Sequence, residues 1–217
     1  MKKYYIYQNH NTTAPIIYLN EFEGTGEEVW KKCVELNVPN VTLVVITGLD
    51  WDKELSPWQM EPVFKGNQFT GGAETYLKEL TEEIIPAVEK EVGVPSKRII
   101  AGYSLAGLFS LYAAFKSELF TNAISASGSL WFKDFTNYLK DTTPNGELQS
   151  VYLSLGDKES DAKNEIMKTV KDKTVETKMI LEEKGITVTY EENPGNHFME
   201  NDIRVAKGIS WILNHLD

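Results

Sequence analysis

Three residue types that together perform acyl transfer follow one another along this chain. A serine stands in Gly102-Tyr103-Ser104-Leu105-Ala106, acids crowd Gly156-Asp157-Lys158-Glu159-Ser160-Asp161, and a histidine ends Asn193-Pro194-Gly195-Asn196-His197. A serine hydroxyl is a weak nucleophile; it needs a base, usually a histidine, that a carboxylate holds in place. The serine stretch fits G-x-S-x-[GA], a pattern that chance supplies in about one chain of seven at this length, so its setting decides. The apolar run RIIAGY reads as a strand entering Gly102, and LAGLFSLYAAF reads as a helix leaving Ser104. That is the strand, turn and helix a nucleophile elbow requires. Residues two before and two after the serine must be small because strand and helix approach closely there, and Gly102 and Ala106 are small, with Gly107 giving further room. The helix start brings the Leu105 N–H and a partial positive charge toward any carbonyl that Ser104 attacks. The plainer reading, a serine that only caps a tight junction, leaves the downstream histidine and acids unused.

Each of the three histidines can be judged by place. His10 precedes the core strands. His215 ends the last helix, where a cation complements the helix dipole. His197 sits in a Pro/Gly loop between the last strand and the last helix, and is the favoured base. For the acid, the strand SVYLSLG runs out into GDKESD. Glu159 is favoured there, with Asp157 and Asp161 as alternatives, since an acidic loop also caps the helix that follows. Serine, acid, histidine is the chain order of α/β-hydrolases.

Composition bounds the rest. At 217 residues the chain suits one domain, 1–217, with ordinary apolar and charged content of 41% and 25%. A formal net charge of −10 and no Lys/Arg cluster argue against nucleic acid. The N-terminus has no apolar stretch of signal-peptide length, and LAGLFSLYAAF is too short to span a membrane. A cytoplasmic protein without a membrane partner is expected. The single cysteine, Cys33, forms no internal disulfide and reads as a buried thiol on a helical face with Trp30 and Val34. No H-x-H or H-E-x-x-H pattern occurs, so neither metal nor cofactor is expected.

Strands are expected in KKYYIYQ, PIIYLN, TLVVIT, RIIAGYS, FTNAISASGS, SVYLSLG and ITVTYEEN. Helices are expected in GEEVWKKCVEL, from Ala73 with Pro86 bending or ending it, in LAGLFSLYAAFKS, in LWFKDFTNYLK, from Ala162 to Gly185, and in ENDIRVAKGISWILNHL. This alternation predicts an α/β fold: a mostly parallel central sheet with helices on both faces, a three-layer sandwich. The stretch from Gly48 to Gly72 is long, irregular and rich in Trp, Pro and Gly, as functional loops are. Its start, Leu49 or Asp50, would supply a second backbone N–H for an oxyanion. Trp51, Trp58, Trp131 and Phe198 fall on loops at the same sheet edge and would line a substrate pocket, although a loop aromatic is also ordinary packing.

The segment from Gly71 to Phe115, with SPW upstream, SASGSLWF downstream and NPGNHF near the end, resembles the esterase D and enterochelin esterase-like branch of the α/β-hydrolases. The similarity runs from about Thr42 to the C-terminus. It implies the hydrolase fold, a serine mechanism, carboxylic esters as small-molecule substrates, Ser104 as nucleophile, His197 as base and Glu159 as acid. The chain departs from the family in two respects. Enterochelin esterases carry an additional N-terminal domain, for which no room is expected here beyond about forty residues, and they meet anionic siderophores with basic residues. The only arginines here are Arg98, in a strand, and Arg204, on the last helix. Siderophore-type or small aromatic and acyl esters are the expected substrates, and oligomeric state is left unassigned. The rival readings are an acyltransferase using the same acyl-enzyme and a non-catalytic binding module on a hydrolase scaffold.

Overall fold

Continuous apolar, β-branched runs fill the middle of this chain because strands buried on both faces have no polar side to show. The computed structural model describes residues 2–9 and 13–216; His10 lies outside the described residues. The strands are β1 (Lys3–Gln8), β2 (Ile16–Asn20), β3 (Thr42–Thr47), β4 (Arg98–Tyr103), β5 (Asn122–Ala126), β6 (Ser150–Gly156) and β7 (Thr187–Asn193). They form one sheet in the order β1-β3-β2-β4-β5-β6-β7. The β1–β3 pair is antiparallel, with Tyr5 opposite Val45, and the other pairs are parallel. The helices are α1 (Glu27–Glu35), α2 (Trp51–Glu54), α3 (Ala73–Glu79), α4 (Ile85–Val92), α5 (Leu105–Lys116), α6 (Phe135–Asp141), α7 (Glu165–Lys168), α8 (Val170–Glu183) and α9 (Asn201–Leu213). This is the expected α/β-hydrolase fold, its sheet mixed by one antiparallel edge.

Side-chain alternation divides the core. Ile17, Leu19, Leu43 and Val45 point to one face and pack with Val29 and Cys33 of α1 and Val205, Ile209 and Ile212 of α9. Ile16, Tyr18, Val44 and Ile46 point to the other, against α3, α4, α5, α6 and α8. The helix α5 is buried from Leu105 to Phe115. It is apolar all round because it lies behind the sheet's centre with other helices over it.

Four local expectations need correction. On α1 the buried face is Val29 and Cys33, four apart, whereas Val34, one residue further round, is 57% exposed. Pro86 does not end its helix. It follows a π-helical turn, Leu80–Ile84, and α4 continues past it. In that turn the Ile85 N–H reaches back five residues to Leu80 O, and a proline lacking an N–H is accommodated where the bonding pattern changes. In LWFKDFTNYLK the helix begins only at Phe135, because Leu130 to Asp134 form turns and Asp134 is left-handed at φ 61°. Trp131 is therefore on a loop. The long helix after Ala162 is two helices, α7 and α8, parted at Thr169.

Helix α9 crosses close to the sheet at Gly208, where an added Cβ would lie 2.6 Å from Ile124 Cγ2 and 2.7 Å from Tyr152 Cδ1. Gly208→Val is expected to cost about 1–3 kcal/mol through overpacking, read as a lower urea midpoint with unchanged slope.

Candidate active site

Along the chain, β3 is laid on one side of β2 and β4 on the other, so the strand order reverses between β2 and β4. Open α/β sheets leave a crevice at the carboxyl ends of the strands at such a point. The loops that follow β2, β3, β4, β6 and β7 meet there.

Ser104 leaves β4 with φ 59° and ψ −124°, a conformation few side-chain-bearing residues adopt. Such strain costs of order 1–3 kcal/mol and persists only where surrounding bonds fix it. They do so here. The Ser104 N–H donates to Ala126 O at 3.0 Å, and its carbonyl accepts the N–H groups of Gly107 and Ser129, each at 3.0 Å. Gly102 is required, because a Cβ there would stand 2.6 Å from Ala106 Cβ and nearer still to the Ala106 carbonyl.

His197 Nε2 lies 3.0 Å from Ser104 Oγ, and its Nδ1 lies 2.7 Å from Glu159 Oε2. The histidine's own carbonyl accepts the Tyr103 hydroxyl at 2.7 Å. The three acids after β6 part company. Asp157 accepts the Gly195 N–H at 2.8 Å and so holds the loop that carries His197, while Asp161 stays exposed at the cleft wall. Glu159 is buried, and its second oxygen, Oε1, receives the Ser127 hydroxyl and the Gly156 N–H, both at 2.7 Å, and Arg204 Nη1 at 2.9 Å. Burial by itself would raise the Glu159 pKa. The hydrogen bond to His197, the imidazole's charge, the Ser127 hydroxyl and the Gly156 N–H outweigh it, so the carboxyl titrates below its ordinary value.

Arg204 is fully buried on α9. Its Nη1 also reaches Tyr103 Oη and Ser127 Oγ, each at 3.1 Å, and its Nη2 donates to the carbonyls of Pro194 and Asn196, again at 3.1 Å. Sequence reasoning passed over Arg204, Ser127 and Tyr103. A cation among Val205, Gly208, Ile209 and Ile212 on the apolar stripe of α9 was the available signal, since arginine is almost never fully buried unless paired.

The crevice has two halves that share Ser104, His197 and Phe198. One, of about 680 Å³, is bounded by Glu21, Phe22, Asp50, Trp51 and Asp52; the other, of about 460 Å³, by Phe64, Ser127, Trp131, Met167 and Val170. Phe198 between them is 90% exposed, and Trp51 meets Phe22 edge to face at 5.1 Å. Trp58 lines neither half. Its indole donates to Lys133 O at 2.9 Å and its ring packs on Phe132, Phe135 and Tyr138, so its role is packing. Leu105 opens α5, Leu49 is half-buried, and the Asp50 N–H is committed to Glu54 Oε2 at 2.8 Å. No helix among the described residues is long and apolar enough to cross a membrane.

A mostly parallel sheet with helices on both faces and a crevice at this edge defines the chain as an α/β-hydrolase-fold protein. The chain belongs to the family described as "Putative esterase", whose model matches residues 4–201. It is similar to the uncharacterized protein YbbA of Bacillus subtilis, 26% identical over 194 residues that cover 83% of this chain and 76% of that protein. It is also similar to the ferri-bacillibactin esterase BesA of Bacillus subtilis, 27% identical over 153 residues, covering 66% of this chain and 53% of the relative. Among solved structures, an IroE-like serine hydrolase from Shewanella oneidensis superposes with a TM-score of 0.80 at 19% identity, over 100% of this chain and 77% of that one. At that identity the likeness establishes the fold.

Removing the cation beside a buried carboxylate is strongly destabilising, whereas an apolar pair in its place is tolerated. Arg204→Met is expected to lower the unfolding free energy by about 3–5 kcal/mol, and adding Glu159→Met to recover part of that, as urea unfolding will read. Because the folded Glu159 pKa lies below the unfolded one, its contribution is present above the unfolded value and lost as pH falls through the folded value. Below about pH 4.3 the wild-type Tm should therefore fall more steeply than that of Glu159→Gln.

Proposed function

We propose that the chain hydrolyses carboxylic esters through an acyl-enzyme on Ser104, with His197 as general base and Glu159 as the acid that orients it. The observation that carries this is the continuous run from Ser104 Oγ to His197 Nε2, 3.0 Å, and from His197 Nδ1 to Glu159 Oε2, 2.7 Å. An Nδ1 proton directed at Glu159 leaves Nε2 free to take the Ser104 proton as Oγ bonds to the ester carbonyl carbon. The imidazolium then gives that proton to the departing alkoxide as the ester C–O bond breaks. Water attacks the acyl-enzyme with the same base, and the carboxylic acid leaves as Ser104 regains its proton.

The tetrahedral oxyanion is received by the Leu105 N–H at the start of α5, where the first turn leaves N–H groups without intrahelical partners. The second donor in this reading is the Leu49 N–H, because Asp50 has given its own to Glu54. Trp51, Trp131 and Phe198 around the nucleophile favour esters with an aromatic or apolar acyl group, for which rings give large contact area at small entropic cost. The relative named as a ferri-bacillibactin esterase adds siderophore esters to the substrates worth testing.

A fluorophosphonate probe should label the wild type and leave Ser104→Ala unlabelled. A short-chain p-nitrophenyl ester should lose about three to six orders of magnitude in kcat with Ser104→Ala or His197→Ala. Equal rates in wild type and Ser104→Ala would remove the nucleophile assignment.

A further inference from the structure

Both arginines of the chain are occupied. Arg98 is bidentate on Glu89, at 2.6 and 2.8 Å, and Arg204 is held by Glu159. Neither is free to meet a substrate anion. The larger half of the crevice has no lysine or arginine in its walls and three carboxylates, Glu21, Asp50 and Asp52. Asp52 is engaged, accepting the Asn67 side-chain amide at 3.0 Å and the Gln68 N–H at 2.9 Å. Asp50 is exposed, so water screens it.

Glu21 differs from both. It follows β2 directly, its N–H is tied to Ile46 O at 2.9 Å, and it stands half-buried in the wall that also presents Ser104 and His197. Its carboxylate takes the Phe22 N–H and has no ion pair among the described residues. The charged groups around it do not neutralise it. From α9 it faces Asp202, and behind Asp202 stand Glu28 and Lys32 of α1. Lys32 is itself paired with Glu35 at 2.7 Å. From the segment after β3 come Asp50 and Asp52, and from the loop after β7 comes His197. The smaller half has Lys158 in its wall beside Asp161, whereas the half that Glu21 bounds has no lysine or arginine.

We infer that Glu21 makes the crevice selective for the charge of the ester, receiving a cationic group beside the scissile bond and turning anionic esters away. This rests on the reading of Ser104 as the nucleophile. A half-buried carboxylate without a counter-ion is an unfavourable arrangement that an incoming ammonium group corrects, and an incoming carboxylate or phenolate worsens. Burial, then the Asp202 charge, against the Phe22 N–H, push the Glu21 carboxyl up to about 7, so its charge changes within the pH range of ordinary assays. The expected substrate class is a cationic ester or, second, a neutral one. That distinguishes this chain from a hydrolase of anionic siderophores.

The test reads ratios of kcat/KM, which cancel any general loss of activity. Acetylcholine is compared with the uncharged isostere in which carbon replaces the quaternary nitrogen, placing the charge on the alcohol side. The p-nitrophenyl ester of a trimethylammonio-butyrate and its carbon isostere place it on the acyl side. A matching acetate carrying a carboxylate supplies the anion. At about pH 8 the wild type should favour the cationic member of at least one pair by about tenfold and disfavour the anionic ester by a similar factor. At about pH 6, with Glu21 protonated, the ratios should contract toward one, and Glu21→Gln should show that contracted ratio at both pH values. Wild-type ratios near one at about pH 8, or a preference that survives unchanged in Glu21→Gln, overturn the inference. Should the variant fail to fold, the wild-type pH comparison decides by itself. Hydrolysis of the same esters by Ser104→Ala would instead remove the reading on which the inference rests.

Discussion

The arrangement at the sheet edge depends on one buried guanidinium. Arg204 brings a full positive charge out of water, and such a charge is tolerated only when its hydrogen bonds are met and an anion lies beside it. Here five acceptors surround it, on Tyr103, Ser127, Glu159, Pro194 and Asn196, and Nε has no partner among the described residues. Those acceptors belong to the last residue of β4 and to the loops after β5, β6 and β7. None of these segments can shift without unmaking a bond to the same group. The alignment of Ser104, His197 and Glu159 is therefore a property of α9 as much as of the loops. The close seat of α9 on β5 and β6 at Gly208 is part of the same constraint.

Against that fixed point the turns are set by an extension of the sheet itself. Past the end of β4 the Ser104 N–H donates to Ala126 O; past β5 the Ser127 N–H donates to Ser154 O; past β6 the Asp157 N–H donates to Asn193 O. Each exit residue thus takes a carbonyl of the next strand, at 3.0, 2.9 and 2.8 Å, and the parallel ladder steps across the sheet one residue beyond the strands. Ser104 and Ser127 then both turn with positive φ, 59° and 45°. One aims its hydroxyl at His197 and the other at Glu159. Two serines with positive φ on neighbouring strands are held by the same device, so the strain is shared between the turns that face His197 and Glu159.

What the sequence made legible follows from which interactions are local. The runs of Ile and Val in β2, β3 and β4 declare their burial residue by residue, and the small residues flanking Ser104 declare a close approach that only a tight turn needs. Serine, acid and histidine could be ordered because each follows its own strand. The preference for Glu159 over Asp157 and Asp161 rested only on its place three residues after Gly156. All three are acids within one turn, and what separates them is that the Asp157 N–H is drawn to β7 while the Glu159 N–H folds back on Gly156 O at 3.1 Å, turning its side chain inward. The role of Arg204 was hard to read for the same reason, since three of its five partners, Tyr103, Ser127 and Glu159, lie 45 to 101 residues away. Trp58 and the start of α6 failed together, because Trp58 packs over the turns that replace the expected first helical turn.

Three places where local rules break lie at one edge. Ser104 holds a backbone that other residues avoid, Glu21 has no counter-ion among the described residues, and Phe198 is 90% exposed beside His197. Each lowers stability, and each is an ordinary liability anywhere else in a protein. The rest of the molecule can hold them because both faces of the sheet are packed and α5 is buried along its length. A carboxylate such as Glu21 tests this logic most sharply. The position follows the end of a central strand and faces Asp202, so a glutamine there would remove a like-charge repulsion and fold at least as well. A charge kept at such a cost is explained by what it meets when the crevice is filled.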